Sequence, residues 1–279
     1  MLVNLKEILK IAEENGSAIG SFNTPNMTSI KSVISAAEEL KAPVIMMHAQ
    51  LQEEMGLCKM EEIAPVMLSF AEKSSVPVCV HLDHGTDLDY IRRGLKLGFT
   101  SVMYDGSEFS EKENIENTKN VVEEVKKAGA SVEAEIGSMG AREGGIANPE
   151  NAEYVYTDPE LAKRFTEQTG IDALACAFGA AHGIYLKEPV LDFELLKAIK
   201  TAVSVPLVMH GGSGVSAEDF KKVIELGIRK INYYTYMAKA GGTAVRDMKD
   251  KTFFHDIEAE AIKAMSENVK ETIKVFLKG

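Results

Sequence analysis

The chain has 279 residues, of which 45% are hydrophobic, and a formal net charge of −11. Its size allows one large buried core, and its acidic balance argues against nucleic-acid binding, which needs basic patches. Its three cysteines, Cys58, Cys79 and Cys176, form no CxxC pair, and no segment approaches the roughly 18 uninterrupted apolar residues of a membrane span. We therefore expect one domain over residues 1–279, in the cytoplasm, with reduced cysteines and no membrane partner.

Short apolar runs alternate along the chain with amphipathic helical segments. The predicted strands cover residues 18–22, 43–47, 77–81, 101–104, 131–136, 173–178, 206–209 and 230–233. Clear helices are predicted over 60–73 and 111–127, and another runs from Asp87, a candidate N-cap, to Gly98. A last helix is predicted from about Asp256 to Phe276.

This alternation predicts an α/β fold, a closed (β/α)8 barrel with an additional C-terminal helix. Strands that read as apolar throughout are typical of a parallel sheet that is buried on both faces. The nearest alternative is an open doubly wound sheet. Such sheets usually have fewer strands and carry a nucleotide-binding fingerprint, which is missing from this sequence.

Three histidines lie where predicted strands end: His84, His182 and His210. In a barrel of this kind the C-terminal ends of the strands form the active-site rim, so the three imidazoles should meet there. Three imidazoles favour an open zinc site with a fourth position left for substrate. Other polar side chains reach the same rim, namely Asn23, Asp83, Asp105, Glu135, Asn232 and Thr235.

Glycine-rich segments follow three of the predicted strands. Residues 137–145 contain four glycines and Glu143, which is typical of a mobile loop that closes over a substrate with a catalytic carboxylate. The turns at 181–183 and 210–216 can offer backbone N–H groups to a phosphate, as barrels often do after their last strands.

At this point the chain resembles the class II, zinc-dependent ketose-bisphosphate aldolases. The resemblance runs from about residue 18 to residue 235, and its motifs are HLDH at 81–84, SVEAEIG at 131–137, AHGIY at 181–185 and HGGSG at 210–214. It implies an aldehyde-lyase of carbohydrate metabolism, such as glycolysis, that reversibly cleaves a ketose phosphate to dihydroxyacetone phosphate and an aldehyde. It also implies a cytoplasmic homodimer or homotetramer.

The resemblance also implies roles for individual residues. His84, His182 and His210 would hold Zn²⁺, and Asp105 and Glu135 would hold it in an alternative position. Asp83 would move the proton at the acceptor's carbonyl oxygen, and Glu143 the proton at the donor carbon. The expected substrate-binding residues are Asn23, Gly183, Gly211, Ser213, Asn232 and Thr235, and a monovalent cation, Na⁺ or K⁺, would lie near the phosphate.

The acceptor side departs from the family pattern. Ala49 stands where the family usually has Ser or Thr, Tyr233 and Tyr234 stand between Asn232 and Thr235, and residues 250–256 contain no arginine. Arg142 replaces an acidic neighbour of the loop glutamate. We therefore expect an acceptor that need not carry a second phosphate, with the tyrosine rings packed on a less polar aldehyde.

Two other functions fit the same barrel less well. A metal-dependent hydrolase usually has two histidines one residue apart on its first strand, and this sequence has no such pair. A non-catalytic barrel would have no use for Asp83, Glu143 and the three histidines together.

Overall fold

A computed structural model describes residues 1–137, 146–147, 155–185, 188–248 and 253–278. Eight parallel strands form a closed barrel: β1 Ile19–Asn23, β2 Val44–Ala49, β3 Val78–Gly85, β4 Ser101–Tyr104, β5 Ser131–Ile136, β6 Ala173–Cys176, β7 Leu207–Met209 and β8 Ile228–Asn232. Each strand pairs with its neighbour in sequence, and β8 pairs with β1 to close the sheet. The predicted (β/α)8 barrel is confirmed.

Helices surround the barrel: α1 Leu5–Asn15, α2 Met27–Leu40, α3 Gln50–Glu54, α4 Met60–Lys73, α5 Leu88–Leu97, α6 Glu111–Lys127, α7 Pro159–Thr169, α8 Phe193–Ala202, α9 Ala217–Glu225, α10 Thr235–Asp247 and α11 Phe254–Phe276. The additional C-terminal helix is confirmed as α11, which packs against α2 and α10. Among the described residues no helix combines the length and hydropathy of a membrane span.

The ends of α5 lie where its sequence signals predicted them. The Asp87 side chain accepts a hydrogen bond from the Asp89 N–H, and Gly98 takes a left-handed conformation with φ of 98°. An aspartate cap satisfies an N–H group that has no partner within the helix, and glycine adopts the left-handed C-terminal turn without a steric penalty. Together they fix the helix that follows the His84 strand.

Helix α1 packs against apolar side chains inside the barrel, near the N-terminal ends of the strands. Leu5, Ile8, Leu9 and Ala12 form one cluster with these residues of the barrel interior: Ile19, Ile45, Met47, Cys79, Met103, Ala173, Ala175 and Val208. A separate and larger apolar cluster fills the space between the barrel and its surrounding helices. We call the α1-covered cluster the lower interior, and the end of the barrel where the strands finish the upper interior.

The expectation that the strands are apolar throughout was wrong for β3, β5 and β8. Alternate residues on these strands are polar and buried, in three pairs: His81 and Asp83, Glu133 and Glu135, and Lys230 and Asn232. Side chains two residues apart lie on the same face of a strand, so these pairs share a face, and their contacts with one another place them inside the barrel. The upper interior is therefore polar.

Candidate metal centre and active site

Three histidine rings converge at the upper end of the barrel. His84 lies within β3, rather than after it as predicted, while His182 and His210 follow β6 and β7. The ring centroids of His84 lie 5.1 Å from His182 and 4.7 Å from His210, and those of His182 and His210 are 5.6 Å apart. One nitrogen of each ring lies within 4.8 Å of the others, so the three side chains could hold one metal ion.

The backbone at His84 is bent, which turns its side chain toward this centre. His84 has a φ of 46°, a left-handed conformation that costs free energy for a residue other than glycine. The pairing of β3 with β4 shifts its register between Leu82 and Gly85, on either side of the bend. Irregularities of this kind re-aim side chains next to active sites.

A carboxylate fixes the orientation of the His84 ring. Its Nδ1 lies 3.0 Å from Oδ2 of Asp105. The other Asp105 oxygen accepts hydrogen bonds from the Ser107 hydroxyl, at 2.6 Å, and from the Ser107 N–H, at 3.2 Å. With Nδ1 donating to Asp105, Nε2 of His84 offers its lone pair to the centre.

His210 is held in the same way from inside the barrel. Its Nε2 lies 2.9 Å from Oε1 of Glu133, and its Nδ1 lies 2.9 Å from Nε2 of His84. Glu133 in turn lies 2.9 Å from the ammonium of Lys230. Two imidazole nitrogens in such close contact repel each other if both are bare, and a cation between the three rings would relieve that repulsion.

Negative charge surrounds the centre. Burial alone would lower the pKa of His84, but the carboxylates of Asp83, Asp105 and Glu135 overcome this effect and raise that pKa well above its usual value. Burial and the neighbouring Asp105 also raise the pKa of Glu135 well above its usual value. An environment that favours a positive charge at His84 to this extent fits a divalent cation held by neutral imidazoles.

Asp83 lies beside the histidines and is fully buried. Its Oδ1 accepts a hydrogen bond from Nδ2 of Asn232 at 3.3 Å, and its Oδ2 lies 4.0 Å from Nε2 of His84. Ala49 is its register partner on β2, so the space beside Asp83 is lined by a methyl group. A carboxylate held by one amide and adjacent to a metal centre is placed to transfer a proton to a bound substrate.

The turns after β6 and β7 are packed against each other. Gly211 has a φ of 65°, and a Cβ at this position would lie 2.2 Å from the carbonyl oxygen of Ala181. The Tyr185 hydroxyl accepts a hydrogen bond from the Ala181 N–H at 2.7 Å and donates one to the Gly211 carbonyl at 2.8 Å. Gly183, with a φ of 102°, belongs to the first of these turns.

The second turn also contacts the start of α10. Ser213 accepts a hydrogen bond from the Tyr234 N–H at 3.1 Å, and Thr235 is the first residue of the helix. No side chain caps this helix end, so its first N–H groups are available to an anion. The upper end of the barrel thus has the groups needed for a phosphate beside a metal centre.

The remaining predicted site residues are distributed as follows. Asn23 ends β1 and is buried at the rim. Glu143 and Arg142 lie outside the described residues, and so do three residues of the arginine-free stretch 250–256, namely 250–252. The ring of Tyr233 packs edge-on against Phe22, at 6.0 Å between centroids, and its hydroxyl contacts side chains of α11. That tyrosine rings pack on the substrate aldehyde stays a prediction.

Sequence reasoning missed Glu133 and Lys230 as parts of this centre. Both lie one step deeper in the barrel than residues that it identified, two positions before Glu135 and Asn232. The signal was present, because every second residue on these strands is polar. The prediction instead took Lys230 as the first residue of an otherwise apolar strand, 230–233.

Nearly the whole chain matches one known protein family. The family model described as "Fructose-bisphosphate aldolase class-II" matches residues 3–278. The chain belongs to the class II fructose-bisphosphate aldolase family. It is therefore a carbon–carbon lyase, and the hydrolase and non-catalytic alternatives are set aside.

Relatives in this family cover the chain almost completely. It is 41% identical over 276 residues to YdjI of Escherichia coli K12, which covers 99% of this chain and 98% of that protein. It is 37% identical over 284 residues to the fructose-bisphosphate aldolase of Staphylococcus aureus, covering 99% and 97%.

Solved structures of aldolases share the fold. The crystal structure of the YdjI aldolase from Escherichia coli K12 matches with a TM-score of 0.88 and 39% identity, covering 99% of this chain and 97% of that one. A putative fructose-1,6-bisphosphate aldolase from Coccidioides immitis matches with a TM-score of 0.88 and 30% identity, covering 98% and 96%.

Proposed function

We propose that this aldolase requires Zn²⁺ and reversibly cleaves a ketose phosphate into dihydroxyacetone phosphate and an aldehyde. The observation that carries the proposal is the convergence of His84, His182 and His210 within 4.8 Å of one another beside the buried carboxylate of Asp83. Three neutral nitrogen ligands with an open position are typical of catalytic zinc. Bound there, the metal would act as a Lewis acid and neutralise negative charge that develops on the donor's oxygens.

The protein side chains would handle the protons. In cleavage, Asp83 takes the proton from the hydroxyl that becomes the aldehyde oxygen, and it returns that proton in condensation. Glu143 moves the proton at the donor carbon of dihydroxyacetone phosphate. The burial of Asp83 and its hydrogen bond from Asn232 support its role, since both hold the carboxylate in one position.

The donor phosphate would bind at the paired turns. Gly183, Gly211 and Ser213 line these turns, and Thr235 opens α10, so backbone N–H groups, hydroxyls and a helix N-terminus meet in one place. Asn23 and Asn232 would contact the hydroxyketone part of the donor. A monovalent cation, Na⁺ or K⁺, would bind to backbone carbonyls near the phosphate.

Asp105 and Glu135 would serve a second metal position. Together with His84 they form a separate group whose ligand atoms all lie within 4.8 Å of one another. His84 belongs to both groups, so its ring would stay with the metal in either position.

The first test is a panel of ketose phosphates assayed for release of dihydroxyacetone phosphate, with zinc content measured on the same samples. We expect one zinc ion per chain, loss of cleavage after exhaustive chelation, and recovery of activity when zinc is returned. Full activity in thoroughly chelated protein would contradict the zinc proposal. Zinc binding without cleavage of any ketose phosphate would contradict the reaction.

The role of Glu143 has its own test. Glu143→Ala should slow hydrogen exchange at the donor carbon of dihydroxyacetone phosphate while zinc content stays unchanged. Exchange at the wild-type rate in this variant would remove Glu143 from the mechanism.

We also propose that the whole chain is one catalytic domain, residues 1–279, that it works in the cytoplasm as a homodimer or homotetramer, and that it serves carbohydrate metabolism. Light scattering of the purified protein tests the assembly, and a monomer at micromolar concentration would contradict it.

A further inference from the structure

A charged pair lies deep inside the barrel, below the metal centre. Lys230 on β8 and Glu133 on β5 are both fully buried, and their charged atoms lie 2.9 Å apart. Interiors of (β/α)8 barrels are usually filled by branched apolar side chains. Because a buried ion pair seldom stabilises a protein more than apolar residues of the same volume would, stability alone does not account for this pair.

The ion pair fixes the direction of the hydrogen bond between Glu133 and His210. A lysine ammonium has three donors and no acceptor, so the Glu133 oxygens must accept from it. Oε1 of Glu133 lies 3.1 Å from the Lys230 ammonium and 2.9 Å from Nε2 of His210. The carboxylate therefore accepts from His210 as well, and the ring proton of His210 is on Nε2.

A proton on Nε2 leaves the lone pair of His210 on Nδ1, the nitrogen that faces the centre. Nδ1 of His210 lies 2.9 Å from Nε2 of His84, whose own proton is directed to Asp105. Without a metal, the proton that lies between these two nitrogens belongs to His84, and His210 accepts it through Nδ1. A cation bound there would replace that proton and meet both lone pairs. The Lys230–Glu133 pair thus sets which face of His210 can bind a cation.

The two histidines differ in how firmly this orientation is held. Asp105 lies at the rim, where its side chain is 18% exposed and solvent can replace it as an acceptor. Glu133 is fully buried, and solvent offers no substitute there. On its other side lies His81, whose Nε2 is 3.8 Å from Glu133 and whose Nδ1 is paired with Ser101 at 2.7 Å. Burial and the nearby Lys230 keep the pKa of His81 well below its usual value, so this ring brings no competing charge.

We propose that Lys230 and Glu133 are positioning residues that hold His210 in its metal-binding tautomer, and that they are kept at the expense of stability. This inference rests on the proposed zinc function, which supplies the ion that His210 would bind. Glu133 and Lys230 belong to neither of the two ligand groups that contain His84. Their effect would reach the centre through the His210 ring, which Glu133 contacts directly.

The first experiment measures zinc affinity by competition with a chromophoric chelator, for the wild type and for the double variant Glu133→Leu/Lys230→Met. The double change removes both charges and keeps the interior filled. We expect zinc binding to weaken by about 10–100-fold, the usual cost of losing the partner of a ligating histidine. Thermal unfolding of the zinc-free double variant should occur at the wild-type temperature or above it. Zinc affinity within threefold of wild type would overturn the proposal.

Two single variants sharpen this result. Glu133→Gln keeps an acceptor but allows the amide to flip, so its zinc affinity should fall between those of the wild type and the double variant. Met103→Leu is the matched control, because it changes a buried residue of the lower interior at nearly constant volume and leaves His210 untouched. If the double variant does not fold, Glu133→Gln decides, and wild-type zinc affinity in that variant would overturn the proposal.

A second measurement needs no metal. Long-range ¹H–¹⁵N spectra of the histidine rings report which nitrogen carries the proton. In zinc-free wild type we expect His210 to be protonated on Nε2, and in Glu133→Gln we expect a mixture of both tautomers. A His210 ring protonated on Nδ1 in the wild type would overturn the inference. A wild type that shows the expected tautomer but binds no zinc would instead overturn the proposed function.

Discussion

The two ends of the barrel interior differ sharply in chemistry. The lower interior joins α1 to the barrel through aliphatic side chains such as Ile8, Ile19 and Ile45. The upper interior contains four carboxylates, a lysine and four histidines close to one another, all of them at least mostly buried: Asp83, Asp105, Glu133, Glu135, Lys230, His81, His84, His182 and His210. Apolar burial stabilises the fold, whereas buried charge opposes it unless it is well paired. The molecule therefore gains its stability at one end and uses some of it to assemble a site at the other.

The largest expected effect comes from the upper end. Asp83→Ala should lower turnover by roughly 10²–10⁴-fold, the usual scale for a lost general acid or base. Asp105 and Glu133 orient the rings of His84 and His210, so zinc content should stay nearly unchanged. Steady-state kinetics and metal analysis on one preparation test both halves of this expectation. If zinc is lost along with activity, Asp83 acts on the metal site rather than on the proton.

The lower end should respond in the opposite way. Ile8 of α1 is fully buried in the lower interior, and Ile8→Ala should reduce the free energy of unfolding by about 2–5 kcal/mol. Zinc affinity and turnover of the folded variant should match the wild type. Lys10→Ala, on the exposed face of the same helix, is the control and should change stability by no more than about 0.5 kcal/mol. A changed zinc affinity in Ile8→Ala would mean that the two ends are coupled.

These contrasts show which parts of the structure could be predicted from the sequence alone. The barrel follows from periodicity, because eight short apolar runs alternate with amphipathic helices, and caps such as Asp87 and Gly98 mark the helix ends. The three histidines were also visible from the sequence, since the end of a strand in a barrel has a known location. A strand pattern does not show how deep inside the barrel each side chain lies.

Two side chains on different strands meet across the barrel only if they lie at the same depth inside it. Lys230 and Glu133 are 97 residues apart in sequence, and nothing local marks them as partners. The left-handed conformation of His84 has no sequence signal either, because the surrounding strands impose it. The Asn232–Asp83 hydrogen bond likewise forms only when β8 and β3 face each other across the closed barrel.

A third prediction concerns a buried histidine outside the centre. His48 on β2 is fully buried, and burial lowers its pKa to about 4 from the usual 6.5. The unfolded chain therefore binds a proton between these values while the folded chain does not, so stability is present above pH 6.5 and is lost as the pH falls toward 4. At pH 4.5 the loss from this one residue is about 2–3 kcal/mol.

Urea unfolding of zinc-free protein at pH 7 and pH 4.5 measures this effect. In His48→Gln the difference in unfolding free energy between the two pH values should shrink by that amount. His255→Gln, which removes an exposed histidine, serves as the control and should leave the difference unchanged. An equal pH dependence in the wild type and in His48→Gln would show that His48 does not cause the loss.

The smallest expected effect concerns the acceptor side of the site and how strongly it binds a second phosphate. In the described part of the chain the arginines bond to carboxylates or carbonyls of helices and helix ends around the barrel, and none reaches the histidine centre: Arg92, Arg93, Arg164, Arg229 and Arg246. Ala49 places a methyl group beside Asp83, where a hydroxyl would have helped to bind a polar acceptor. A phosphate bound without a cationic fork loses charge-assisted hydrogen bonds of about 1.5–3 kcal/mol each.

We therefore expect fructose 1,6-bisphosphate to be preferred over the corresponding ketose 1-phosphates by less than tenfold in kcat/KM, which is less than about 1.4 kcal/mol. The main competing source of charge is Lys239, whose ammonium lies 5.3 Å from the centre of the Tyr236 ring, next to the turn that would bind the donor phosphate. Lys239→Met separates the two cases: if Lys239 binds a second phosphate, the variant loses activity on the bisphosphate and keeps it on the monophosphates. If it does not, both activities change together or not at all. A preference for the bisphosphate of tenfold or more that survives Lys239→Met would mean that another cation, from outside the described residues or from a neighbouring subunit, reads the second phosphate.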